Sequence, residues 1–244
     1  MGQVAAFWAA ALFLLAYSGS GRTAVGLSFG ASALRAPHFA ALLRVGCIAM
    51  LSPLFSVGSV LVLTRLVAEV GPEALAGYGV GVRLEFLLIP IAFSVGVASV
   101  PMVGTALGAG NLERARKAAW TSGGIAFAVL ALIGIGMAWI PGLWADMFTD
   151  AVPVREAAYA YLGIAGYGFG FFGLGLCLYF AAQGAGRMGG VILAQAARFG
   201  IIVAGGTLVL GPDARAEEVF VLSALAMIAM GLGTALAVKL AKWR

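Results

Sequence analysis

Ionisable side chains are the scarcest ingredient of this sequence. Only 10% of its 244 residues are Asp, Glu, Lys or Arg, against roughly 25% in soluble domains. So few charges cannot cover a chain that is 62% hydrophobic with a mean hydropathy of +1.04, and water is excluded as its solvent. The net charge of +5 points away from nucleic acid, because the fifteen Lys and Arg fall singly between apolar runs instead of lining one face. Histidine occurs once, as His38 beside Pro37, with no Cys, Asp or second His nearby to complete a metal site. The two cysteines, Cys47 and Cys177, lie far apart within apolar segments and suggest neither a disulfide nor a metal site. No Ser, His and Asp set and no paired carboxylates are visible. The chain is therefore read as a non-enzyme without a cofactor.

What the chain has in abundance is long apolar runs. Seven stand out, at about 3–20, 40–64, 83–107, 118–143, 156–182, 188–210 and 219–238, each long enough and poor enough in charge for a membrane helix. The fold class expected is all-α: a polytopic membrane bundle of about seven transmembrane helices, with short loops that make successive helices antiparallel neighbours. Trp120, Trp139 and Trp144 flank the fourth run as an interfacial aromatic belt.

Loop charges orient the bundle. If residues 21–44 face the cytoplasm, ten cations fall on that side (Arg22, Arg35, Arg44, Arg114, Arg116, Lys117, Arg187, Lys239, Lys242 and Arg244) and four on the other (Arg65, Arg83, Arg155 and Arg215). The acids of the loops, Asp213 among them, gather opposite. This places the C-terminus in the cytoplasm and the start outside, in a cell inner membrane. The first run lacks the basic leader of a secretory signal. An odd helix count with an external start is what a two-lobe carrier leaves when its first five helices are removed, so the chain is expected to be a fragment, a split subunit or half of an assembly.

Glycine needs separate treatment. Gly77, Gly79 and Gly81, and the Gly-Ala-Gly runs at 108–110 and 184–186, lack the strand-then-helix surroundings of a phosphate loop. The two Gly-Ala-Gly runs follow apolar helices and precede basic residues, which is the pattern of helix C-caps.

The stretch 77–116 organises the rest. It opens with Arg83 and Glu85, is broken by Pro90 and Pro101, and ends at Gly108 and Gly110 before Arg114 and Arg116. Gly77-Tyr78-Gly79-Val80-Gly81-Val82-Arg83-Leu84-Glu85, then Pro90, then Gly104-Thr105-Ala106-Leu107-Gly108-Ala109-Gly110-Asn111, resembles the multidrug and toxic compound extrusion (MATE) transporters. Met147-Phe148-Thr149-Asp150 and Gln183-Gly184-Ala185-Gly186 agree in order and spacing. The resemblance covers roughly residues 35–240 and implies the second six-helix lobe of a two-lobe carrier (40–244). Residues 1–20 would be the helix preceding that lobe and 21–39 the cytoplasmic linker, with the first lobe to be supplied elsewhere. It further implies antiport: a proton or sodium gradient driving export of organic cations and other amphiphiles as two lobes rock about a central cavity.

Several residues become candidates for that work. Glu85 is a carboxylate in a membrane segment, costing about 2.5–3.5 kcal/mol at a helix centre unless paired or used. It is placed near the outer end of its helix and expected to bind a proton, a sodium ion or a cationic substrate. Arg198 lies roughly 16 Å past Arg187 at helical rise, and calls for a carboxylate, helix-end carbonyls, cavity water or a reach to the headgroups. On the glycine-threaded fifth run, Tyr167, Phe171 and Tyr179 can hold organic cations by cation–π attraction, with Gln183 at its end. The second run carries Pro53 among Ser52, Ser56, Gly58 and Ser59, a bendable, small-faced segment. Some similar transporters place a glutamate about where Ser56 stands, and its absence weakens cation binding there. Two other readings stay open: a lipid-linked saccharide flippase of the same superfamily, which favours a broader basic cavity, and a non-transporting membrane subunit or remnant.

Overall fold

A computed structural model describes residues 2–19, 36–209, 211, 215–241 and 243. The chain divides into two compact units, Met1–Cys47 and Ile48–Arg244. Most of the linker expected at 21–39 lies outside the described residues. So do Arg22, Arg35, Asp213, Lys242 and Arg244 and the side chains of His38 and Arg44, all of which entered the sequence reading.

In the first unit, α1 (Gly2–Gly19) is apolar all round, with Phe7, Trp8 and Phe13 exposed and Phe13 stacked on Tyr17 at 6.3 Å. Its apolar stretch, Val4–Gly19, is shorter than the roughly 20 residues a span needs. Helix α2 (Ala36–Val70) begins in this unit and continues through the second.

The second unit holds α3 (Pro72–Gly108), α4 (Leu112–Trp139), the single turn α5 (Gly142–Ala145), α6 (Val152–Ala165), α7 (Phe169–Gly184), α8 (Gly189–Val209) and α9 (Ala216–Leu240). Gly166–Gly168 form a 3-10 turn between α6 and α7. Among the described residues six segments are long and apolar enough to cross a membrane: Met50–Val70, α3, α4, α6 through α7, α8 and α9. All described secondary structure is helical. The all-α membrane bundle expected from the sequence is what forms.

Local chemistry sets the helix ends. Pro72 opens α3 and Glu73 sits in its first turn; proline is tolerated where the N–H has no helical partner, and the acid favours the positive end of the dipole. That start lies well upstream of the apolar run at 83–107, since the glycines and charges of 77–85 interrupt hydropathy without interrupting the helix. The Asn111 side chain accepts the Arg114 amide at 2.9 Å and caps α4. The two Gly-Ala-Gly runs terminate α3 and α7 in the same way. Gly110 and Gly186 adopt φ of 73° and 66°, and the amides of Asn111 and Arg187 reach back to Ala106 and Ala182, each at 2.9 Å. Glu217 and Glu218 begin α9 and Lys239 ends it.

Packing runs through small residues, as expected where lipid supplies no hydrophobic drive between helices. Gly134 of α4 meets Gly166 so closely that a Cβ on either would overlap the other's carbonyl. Gly231 of α9 lies against the Phe171 backbone, and Gly206 of α8 against Leu66 of α2. One buried cluster joins Leu66, Val67, Leu84, Leu88, Phe169 and Phe220; a second joins Val103, Ala119, Leu178 and Val191.

Candidate functional site

The site begins with two glycines on α3. Gly77 and Gly81 are four residues apart, so they share one helix face, and α6 is pressed into the notch they leave. A Cβ at Gly77 would lie 2.5 Å from the Ala157 Cβ, and one at Gly81 would overlap the Tyr161 ring. The facing surface of α6 is Ala158, Tyr161, Leu162 and Ala165, all fully buried. With its ring seated over Gly81, Tyr161 donates its hydroxyl hydrogen to Oε1 of Glu85, one turn further along α3. Tyr78 and Phe220 fix the ring edge-on, each with a centroid at 5.1 Å, and stack on each other at 6.4 Å. The Tyr78 hydroxyl lies beside Thr64 of α2.

Glu85 is half-buried and some 13 residues inside the start of α3, about 20 Å at helical rise. Helix α3 thus begins well before the apolar run from which the outer-end placement of Glu85 is drawn. Trp144, following α4, donates its indole N–H to the Val80 carbonyl at 3.0 Å, and the Arg83 guanidinium lies 5.2 Å from the Phe148 ring centre. These two contacts hold the α5 turn against the part of α3 that carries Glu85.

The positive member of the site is Arg198, at the middle of α8 and only 4% exposed. A reach to the headgroups is ruled out by that burial. Its guanidinium stands 5.6 Å from the Phe172 ring centre of α7, and Nη1 lies 3.7 Å from the Met230 sulfur of α9. The ion pairs among the described residues are Arg65–Glu69 and Arg155–Asp146, so no carboxylate bonds Arg198 directly, although the field of Glu85 reaches it. Nε of Arg198 is buried without a hydrogen-bond partner, and the buried Oγ of Ser223 lies beside the Tyr161 hydroxyl. A buried donor left open costs about 1–3 kcal/mol, more when charged. One turn before Arg198, Gln195 donates to Oγ of Ser52 at 3.0 Å, tying α8 to α2 beside Pro53.

The bundle thus sets an acceptor, Glu85 on α3, under the Tyr161 hydroxyl, and a buried guanidinium with an open Nε, Arg198 on α8, beside Phe172. Such a carboxylate can carry a proton, and such a guanidinium can take an acceptor at its open Nε. No group of three or more His, Cys, Asp or Glu that could hold a metal occurs among the described residues.

The other sequence candidates lie elsewhere. Tyr167 is 52% exposed in the 3-10 turn, and Phe171 packs edge-on against Phe127 of α4 at 5.2 Å. Tyr179 stands against Phe180 at 5.5 Å, and Gln183 is exposed at the end of α7. The aromatic residues beside Glu85 and Arg198 are instead Tyr161, Tyr78 and Phe172. The signal for Tyr161 was available: Ala158, Tyr161, Leu162 and Ala165 fall at the spacing of one helix face.

Comparison with known proteins agrees with this architecture. The family description MatE matches residues 49–209. Probable multidrug resistance proteins NorM of Brucella suis and Brucella melitensis are each 25% identical over 134 residues, covering 53% of this chain and 28% of theirs. Among solved structures, a mutant of the Vibrio cholerae MATE transporter VcmN superposes with a TM-score of 0.79 at 22% identity, over 87% of this chain and 49% of that one. The MATE transporter ClbM, in complex with Rb+, gives 0.70 at 20% identity, over 83% and 46%. A Pyrococcus furiosus MOP superfamily transporter, described by the reverse polarity of its binding pocket, gives 0.71 at 19% identity, over 80% and 43%. The chain thus spans about half the length of these transporters and about a quarter of the NorM relatives. With its matched segment covering most of the helical unit that builds the Glu85–Arg198 site, the chain belongs to the MatE family.

Proposed function

We propose that this chain is the C-terminal lobe of a cation-coupled exporter of organic cations and other amphiphiles, working opposite an N-terminal lobe. Carriers of this build transport by rocking their repeats about a shared cavity, and half-length coverage of the solved transporters supports the one-lobe reading. The observation that carries the coupling is Glu85, a half-buried intramembrane carboxylate hydrogen-bonded by Tyr161 and opposed by a buried Arg198 without a direct acid partner. In this reading Glu85 is the proton or sodium acceptor. When it is charged, Arg198 balances it; when a proton neutralises it, the Arg198 charge is left exposed to the cavity, and the change biases the lobes toward their other arrangement. The chain itself does no covalent chemistry, the C-terminus faces the cytoplasm, and the membrane is the cell's inner membrane.

Ethidium efflux from proteoliposomes tests this, using a carrier completed with the N-terminal lobe of a relative. Efflux should follow an imposed proton or sodium gradient and collapse in Glu85→Gln. Unchanged gradient-driven efflux in that variant would sink the assignment.

A second reading draws on Arg198. A buried cation with an open donor suits an anionic guest, as a lipid-linked saccharide flippase would need. Uptake of a lipid-linked saccharide, abolished by Arg198→Gln while ethidium stays unmoved, would select it over the first.

A further inference from the structure

A groove of about 510 Å³ runs between α3 and α4, away from the Glu85 cluster. Its α3 wall is Val95, Ala98, Ser99 and Met102, spaced as one face of a helix, and its α4 wall runs from Arg114 and Lys117 to Ile125. Met102 and Ile125 are 56% and 48% exposed, so the apolar part opens outward. Ser99 and Ser122, at the floor, are satisfied by the carbonyls of Gly96 and Ala119 in their own helices. The floor asks for no polar guest.

Charge enters at one end only. Arg114 and Lys117 lie in the first turns of α4, both exposed, and neither belongs to an ion pair among the described residues. From Lys117 to Ile125 the wall rises about 12 Å without another charge. Trp120, 38% exposed, shares a neighbouring hollow with Lys117, Arg116 and Glu113, and tryptophan is the side chain that membrane interfaces favour. The groove therefore has a cationic mouth at interface level and an apolar floor leading into the hydrocarbon.

We propose that this groove is a binding site for an anionic glycerophospholipid, its phosphate between Arg114 and Lys117 and an acyl chain along Ala98, Met102 and Ile125. Basic pockets between membrane helices take acidic headgroups in this manner. A zwitterionic lipid fits the floor equally but presents no net charge to the mouth, so selectivity resides in the two cations. The site is independent of the transport reading, since none of its residues touches Glu85 or Arg198.

Native mass spectrometry of the purified full chain tests it, with phosphatidylglycerol and phosphatidylcholine offered in competition. Two basic side chains near a membrane surface correspond to a preference of about 25-fold for phosphatidylglycerol. The preference should fall to near parity in Arg114→Gln with Lys117→Gln and persist in Arg187→Gln with Lys239→Gln, which removes equal charge elsewhere. Ile125→Trp, which fills the floor, should reduce retention of both lipids while leaving the ratio. Three results would overturn the proposal: equal retention of the two lipids by the unaltered chain, an unchanged preference in the Arg114/Lys117 variant, or an equal loss in the control pair.

Discussion

The seating of Tyr161 over Gly81 predicts that the smallest possible side chain on α3 disconnects Glu85. In Gly81→Ala the new methyl would overlap the ring, with Cε1 at 2.6 Å and Cγ at 3.1 Å. The ring is fully buried and held by Tyr78 and Phe220, so it has no empty space to enter. Overpacking of this kind costs about 1–3 kcal/mol, and displacing the hydroxyl from a charged acceptor adds about 1.5–3 kcal/mol. Tyr161→Phe removes the hydroxyl alone and should cost only the latter. If the methyl acts by dislodging the hydroxyl, the double variant cannot lose that bond twice. The pair should therefore be non-additive by at least 1 kcal/mol, well beyond the roughly 0.3–0.5 kcal/mol scatter of independent sites. Thermal unfolding in detergent measures all four corners of the cycle, with gradient-driven efflux followed in parallel. Gly79→Ala is the control, because a Cβ there meets nothing within 4 Å, and the change should be neutral or stabilising by up to about 1 kcal/mol. Wild-type stability in Gly81→Ala, or additivity with Tyr161→Phe, would refute the reasoning.

Other consequences follow from single contacts. Ser52→Ala strands the buried Gln195 amide, and should lower stability by about 1–3 kcal/mol; Ser52→Ala combined with Gln195→Leu should recover part of that loss in the same unfolding measurement. Gly134→Ala drives a methyl into the Gly166 carbonyl, so it should destabilise by about 1–3 kcal/mol, while Gly136→Ala, with open space around it, should not. Gly186→Ala must hold a side chain at φ 66°, costing about 1–2 kcal/mol, and Gly186→Asn should be tolerated better, both read by melting temperature.

Much of the fold was legible because its determinants are local. Hydropathy marked α8 and α9 nearly to their ends, and the glycine punctuation at 110 and 186 marked two turns whose φ values require it. The start of α3 was not, since a helix that leaves a purely apolar environment keeps its hydrogen bonds while losing its hydropathy signal. Glu85 and Arg198 stood out as charges in oil, and the structure brings their fields together. The aromatic partners were harder. A 3-10 turn, 166–168, separates α6 from α7 inside one apolar run, and hydropathy carries no signal for it. Past that turn Phe172 faces Arg198 and Phe171 faces Phe127.

Helix α3 has 37 residues, about 55 Å of rod for a hydrocarbon slab of about 30 Å. Its excess length is clasped near one end, by the Trp144 indole at Val80 and by Phe148 beneath Arg83. Pro90 and Pro101 weaken it further along. The clasp and Pro90 bracket Glu85, so the Trp144–Phe148 segment bears on the same short stretch of α3 that carries the carboxylate.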